Sequence, residues 1–134
     1  MTFPISQIRI ARPTNQLDAL TRFYKDGLLF NEIGSFTNHD GYNGIMLGMP
    51  DASVHLEFTQ HIHGSPCPAP TKDNLLVLYF NTSTDRDLYV DRLTQMDYPI
   101  VEPENSYWLA NGITIADPDG WRVVLVNKPG FSVE

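Results

Sequence analysis

The strongest constraint on this chain is that its two halves repeat one order of elements. In the first half, Gln7–Ala11 alternates as a strand does, and Pro13 with Thr14-Asn15 marks its end. Leu17, Leu20, Phe23 and Tyr24 then recur at helical spacing, with Gly27 as the stop. Three extended segments follow, Leu29–Thr37, Tyr42–Gly48 and Ser53–Gln60, joined by turns at Asn38-His39-Asp40-Gly41 and Met49-Pro50-Asp51. In the second half Asn74–Phe80 reads as a strand. Ser83 or Thr84 then caps a helix carrying Leu88, Tyr89, Leu93 and Met96. Tyr98–Val101, Gly112–Ala116 and Trp121–Val126 are the remaining strands. The turn Asp117-Pro118-Asp119-Gly120 before the last strand is mirrored by Pro50-Asp51-Ala52 in the first half. The order is β-α-β-β-β, twice. The expected class is therefore α+β, with βαβββ modules at 5–60 and 74–127 and a proline-containing linker at 61–73.

A chain of 134 residues accommodates one domain made of two such repeats. Ile8–Ile10, Leu75–Phe80 and Val123–Val126 supply apolar runs for its core. The net charge of −7 lacks the basic footprint of a nucleic-acid binder, and the basic residues are scattered. No apolar run approaches the roughly 20 residues of a membrane span. The N-terminal segment has no signal-peptide pattern. The single cysteine, Cys67, suits a reducing compartment, so a cytoplasmic location is expected. Nucleophile elbow, P-loop and dinucleotide glycine patterns are missing from the sequence.

Phe23-Tyr24 followed by Gly27-Leu28, the stretch His55-Leu56-Glu57-Phe58-Thr59, and the late Asp117-Pro118-Asp119-Gly120-Trp121 resemble the vicinal-oxygen-chelate superfamily of glyoxalases, bleomycin-resistance proteins and dioxygenases. The resemblance covers nearly the whole chain. It implies that each βαβββ module curls into half of an open barrel, and that the protein is a homodimer. It also implies four metal-ligand positions, one on the first and one on the last strand of each module. These fall on Arg9 (or Gln7, with a two-residue insertion), Glu57, Leu75 (or Asn74) and Val124. Arg9 is preferred, because it leaves Ile8 and Ile10 facing the helix by alternation. Leucine and valine offer no lone pair, and a guanidinium is a cation. The metal site is therefore expected to be degenerate, with no metal and no cofactor.

A lone carboxylate inside such a barrel is costly unless paired. Arg9 is the expected partner of Glu57, either as a closed core ion pair or as part of an open pocket. Arg12 and Arg122 stand near strand ends, where they line a cleft or are solvated at its rim. Tyr79, Tyr107-Trp108 and Trp121 supply aromatic surface. His55 alternates onto the Glu57 face, as a satisfied structural histidine or as an acid or base. His39 is isolated. His61 and His63 with Cys67 make a weak zinc pattern, which reads first as surface loop residues.

The expected function is metal-independent binding of a small polar or anionic organic molecule by Arg9, Glu57, Tyr79, Trp108 and Arg122. Alternatives are an enzyme of the same fold, glyoxalase-like or dioxygenase-like, with Glu57 as catalytic base or with metal ligands elsewhere, and a non-catalytic interaction module with a filled interior.

Overall fold

The computed structural model describes residues 3–131. The chain divides into two compact units, Met1–Cys67 and Pro68–Glu134. Each unit is one βαβββ module, and the architecture is the expected α+β pair of open four-stranded sheets. Among the described residues no helix is long and apolar enough to cross a membrane.

The first module comprises β1 (Ile8–Pro13), α1 (Leu17–Thr21) continuing as a π-helical segment (Arg22–Gly27), β2 (Asn31–His39), β3 (Tyr42–Gly48) and β4 (Val54–His61). Its sheet order is β1-β4-β3-β2, with β1 and β4 parallel and the other pairs antiparallel. Leu20, Phe23 and Tyr24 are fully buried, as their helical spacing predicts. The Tyr24 ring packs 4.9 Å from that of Phe58, which fixes the helix on the Leu56–Phe58 side of the sheet.

Three local details differ from expectation. Pro13 belongs to β1 instead of breaking it. The strand lies at the sheet edge, where proline's missing N–H removes no ladder bond, and pairing resumes at once with Thr14 N donating to Thr59 O. The helical segment does stop at Gly27 as expected, but the left-handed residue that turns the chain is Leu29, at φ 60°, not a glycine. Ile8 and Ile10 do alternate with Arg9, but they remain 53% and 44% exposed, because the helix packs over the Arg12 end of the strand.

The second module comprises β5 (Leu75–Tyr79), α2 (Ser83–Gln95), β6 (Ile100–Val101), a 3-10 helix (Ser106–Leu109), β7 (Gly112–Ala116) and β8 (Arg122–Val126). The sheet order β5-β8-β7-β6 reproduces that of the first module. The helix cap is Thr82, whose Oγ1 accepts from Asp85 N at 3.1 Å, one residue before the expected Ser83. Val90 and Leu93 form the buried face of α2, while Leu88 is 57% exposed. Pro99 and Pro103 flank β6 and hold it to two residues.

The two mirrored turns have the same geometry. Ala52 N donates to Met49 O at 2.9 Å, and Gly120 N donates to Asp117 O at 2.9 Å. Both closing residues have positive φ, 57° at Ala52 and 90° at Gly120. An aspartate stabilises each turn: Asp51 Oδ1 accepts from Ser53 N, and Asp117 Oδ1 accepts from Asp119 N and Trp121 N.

Candidate functional site

Strand register decides which side chains share a face in the first module. Arg9 stands opposite His55, and Ala11 stands opposite Glu57. Alternate residues emerge on one side, so Arg9, His55 and Glu57 share the face that the helix does not cover. Arg9 Nε donates to His55 Nε2 at 2.9 Å, and Arg9 Nη1 donates to Glu57 Oε2 at 3.5 Å. A guanidinium can only donate, so His55 Nε2 accepts and the ring proton sits on Nδ1. That Nδ1 lies 3.3 Å from the Ala52 carbonyl oxygen, and the ring is 2% exposed. His55 is thus a brace that aims Arg9, bonded at both nitrogens.

The Arg9–Glu57 pair is open rather than a closed core ion pair. Its side chains are 48% and 15% exposed, respectively. Solvent screening keeps the stabilisation from such a pair small. Among the described residues Glu57 Oε1 and Arg9 Nη2 have no hydrogen-bond partner, so both remain available.

A hollow of about 430 Å³ opens beside Glu57, lined also by Thr59, Phe36, Tyr42, His39 and Asp40. Phe36 lies against bare backbone: a Cβ added at Gly44 would fall 2.3 Å from its Cζ. Arg12 borders this hollow but is a buried packing residue, not a solvated rim residue. It donates to Tyr24 Oη at 3.2 Å, and its guanidinium carbon sits 5.1 Å from the Phe58 ring centroid. Gln7 lies before β1 and donates to Ala52 O.

His61 packs its ring 4.7 Å from Tyr42, and its Nδ1 accepts from His63 N. Cys67 Sγ accepts from Asn15 Nδ2. Among the described residues no three His, Cys, Asp or Glu side chains are grouped so as to hold a metal ion.

In the second module Tyr79 and Trp108 come together in a pocket of about 360 Å³, with Tyr107, Asn111, Lys128 and Phe131. The 3-10 helix that presents Trp108 is started by Asn105, whose side chain accepts from Tyr107 N. Arg122 is not in this pocket; its Nη1 donates to Glu102 O at 2.7 Å. Sequence reasoning missed Lys128 and Phe131. Lys128 was recoverable, because it continues the alternation of Val124 and Val126 two residues past β8.

The sequence of residues 8–59 matches the YycE-like N-terminal domain, and that of residues 73–127 matches the YycE-like C-terminal domain. A curated relative, the uncharacterized protein YycE of Bacillus subtilis, is 50% identical over 131 residues, covering 98% of this chain and 94% of the relative. The chain belongs to the YycE-like family. A crystal structure of a YycE protein of unknown function from Bacillus subtilis superposes with a TM-score of 0.92 at 49% identity, covering 98% of this chain and 96% of that one. More distantly, the trypanothione-dependent glyoxalase I of Leishmania major has a TM-score of 0.69 at 19% identity, covering 95% and 88% of the two chains. At that distance the likeness concerns the fold alone.

For the YycE-like chain the four positions implied by the superfamily resemblance can now be located. Arg9 and Glu57 are in contact in the first module. Leu75 and Val124 lie by alternation on one face of the second module's sheet, and Val124 is fully buried. Asn74 precedes β5, and its Oδ1 accepts from Thr71 Oγ1.

Proposed function

We propose that this YycE-like protein binds a small polar or anionic organic molecule without a metal ion, at the hollow lined by Glu57, whose carboxylate is paired with Arg9. The contact between Arg9 Nη1 and Glu57 Oε2 carries this reading. Divalent ions need several oxygen, nitrogen or sulfur donors. Of Arg9, Glu57, Leu75 and Val124, Glu57 alone offers a suitable donor, and a guanidinium already presents positive charge to it. The residues do not fit the ion that other members of the fold hold.

The uncommitted atoms define the ligand. Arg9 Nη2 suits an anionic oxygen. Glu57 Oε1, Thr59 and Tyr42 suit hydroxyl or amine groups, and Phe36 gives an apolar wall. An enzyme on this fold would use Glu57 as its base, since Glu57 is the carboxylate on this face beside His55 and Arg9. The hollow itself argues against an interaction module with a filled interior.

Thermal shift tests the reading. A ligand that binds only the folded state stabilises it by mass action, by about 2.7 kcal/mol at a hundredfold excess over Kd, and so raises the melting temperature. Small hydroxycarboxylates are expected to raise it by several degrees in wild type, and markedly less in Arg9→Met and Glu57→Gln. A rise with a divalent cation that disappears in Glu57→Gln would show the metal-free reading to be wrong.

A further inference from the structure

We infer that the aromatic pocket of the second module binds a planar aromatic anion. It goes beyond the site around Arg9 and Glu57, from which it shares no residue, and does not depend on it.

The pocket, of about 360 Å³, falls within the range of roughly 300–1,000 Å³ typical of small-molecule sites. Its walls are rings. Tyr107 and Trp108 meet edge to face, with centroids 5.1 Å apart and an interplanar angle of 89°, so each holds the other's orientation. Tyr79 is covered on one side only. A Cβ added at Gly130 would lie 3.0–3.3 Å from Tyr79 Cγ, Cδ1 and Cδ2, so the backbone at Gly130 caps that side of the ring. The ring is 41% exposed, and Tyr79 lines the pocket, which leaves surface on which a second ring can stack. Offset stacking on such a surface favours flat ligands over puckered ones of the same size.

The polar groups give the sign of the ligand. Lys128 lines the pocket and makes no ion pair among the described residues, in a chain of net charge −7 where a cation has abundant acidic company. The Asn111 carboxamide and the Tyr79 hydroxyl likewise have no hydrogen-bond partner among the described residues. Asn111 is held in place through its backbone, whose carbonyl accepts from Arg86 Nη1 at 2.9 Å and from Asn127 N at 3.1 Å. One ammonium, one amide and one phenol beside aromatic walls match a carboxylate or phenolate carried on a flat ring.

The test is calorimetric titration with three probes: 2-naphthoate, the uncharged 2-naphthylmethanol, and the puckered anion cyclohexanecarboxylate. Naphthoate is expected to bind at least tenfold more tightly than either comparison compound. Lys128→Met should lower naphthoate affinity to that of the alcohol and leave the alcohol unchanged; Lys128 is exposed, so the variant keeps the fold. Tyr79→Leu should weaken both planar probes. Arg9→Met and Glu57→Gln should leave naphthoate binding as in wild type. Failure of naphthoate to bind wild type, or equal binding to wild type and Lys128→Met, overturns the inference. Loss of naphthoate binding in Arg9→Met also overturns it, by moving that ligand to the first module, and leaves the proposed function standing.

Discussion

At the scale of single residues, His55 sets the direction of Arg9. The sequence admits a satisfied structural histidine or an acid or base. The structure agrees with the first: both ring nitrogens are committed, one to Arg9 and one facing the Ala52 carbonyl. Replacing it with alanine removes a buried ring and orphans the Arg9 Nε donor. The Arg9 side chain is 48% exposed, so water can meet its Nε, and the cost comes mainly from the lost volume of the buried ring. His55→Ala is therefore expected to lower unfolding free energy by at least about 2 kcal/mol in urea titration. It should also weaken the carboxylate response that depends on Arg9. A variant that melts like wild type and still binds the carboxylate would show that Arg9 is positioned by something else. The Arg9–Glu57 contact was legible because alternation fixes faces. Its openness was not, because exposure depends on neighbours distant in sequence. Arg12 illustrates the same limit: its burial between Tyr24 and Phe58 is created by α1 docking across the end of β1.

At the scale of elements, the paired turns before β4 and β8 make a matched experiment. Positive φ costs a non-glycine residue about 1–2 kcal/mol relative to glycine, offset in part by the greater freedom of glycine in the unfolded chain. Ala52 carries that strain at φ 57°, whereas Gly120 does not at φ 90°. Ala52→Gly is expected to stabilise the protein by about 0.5–1 kcal/mol, and Gly120→Ala to destabilise it by about 1 kcal/mol or more. Opposite signs in chemical denaturation are the required result; two losses of equal size would contradict the shared geometry. This equivalence could be read from Pro50-Asp51-Ala52 and Pro118-Asp119-Gly120, since proline and aspartate specify the turn locally. The same is true of the buried Leu20, Phe23 and Tyr24. What escaped the sequence were features set by sheet position: Pro13 tolerated at an edge, β6 held to two residues, and a helix whose last turn widens so that Leu29 becomes the left-handed residue.

At the scale of the whole molecule, the repeat was the most legible feature, because each module has its own hydrophobic pattern and its own family match. Less legible was the fate of β1. It is an edge strand whose Ile8 and Ile10 stay exposed beside Val54, the register partner of Ile8, itself 44% exposed. Edge strands with apolar side chains invite pairing unless something covers them. We propose that a second copy of this chain covers that strip, which makes the functional protein the homodimer that the superfamily resemblance implies. Ile10→Lys places a charge in the strip without touching the buried face of α1. Sedimentation equilibrium should then give the mass of two chains for wild type and of one chain for Ile10→Lys, with circular dichroism unchanged between them. Because the contact would bury mainly apolar surface, raising the salt concentration should not dissociate the wild-type dimer. A monomeric wild type, or a variant that stays dimeric, would mean that Ile8, Ile10 and Val54 are not the contact, and the dimer would have to be sought on another strand.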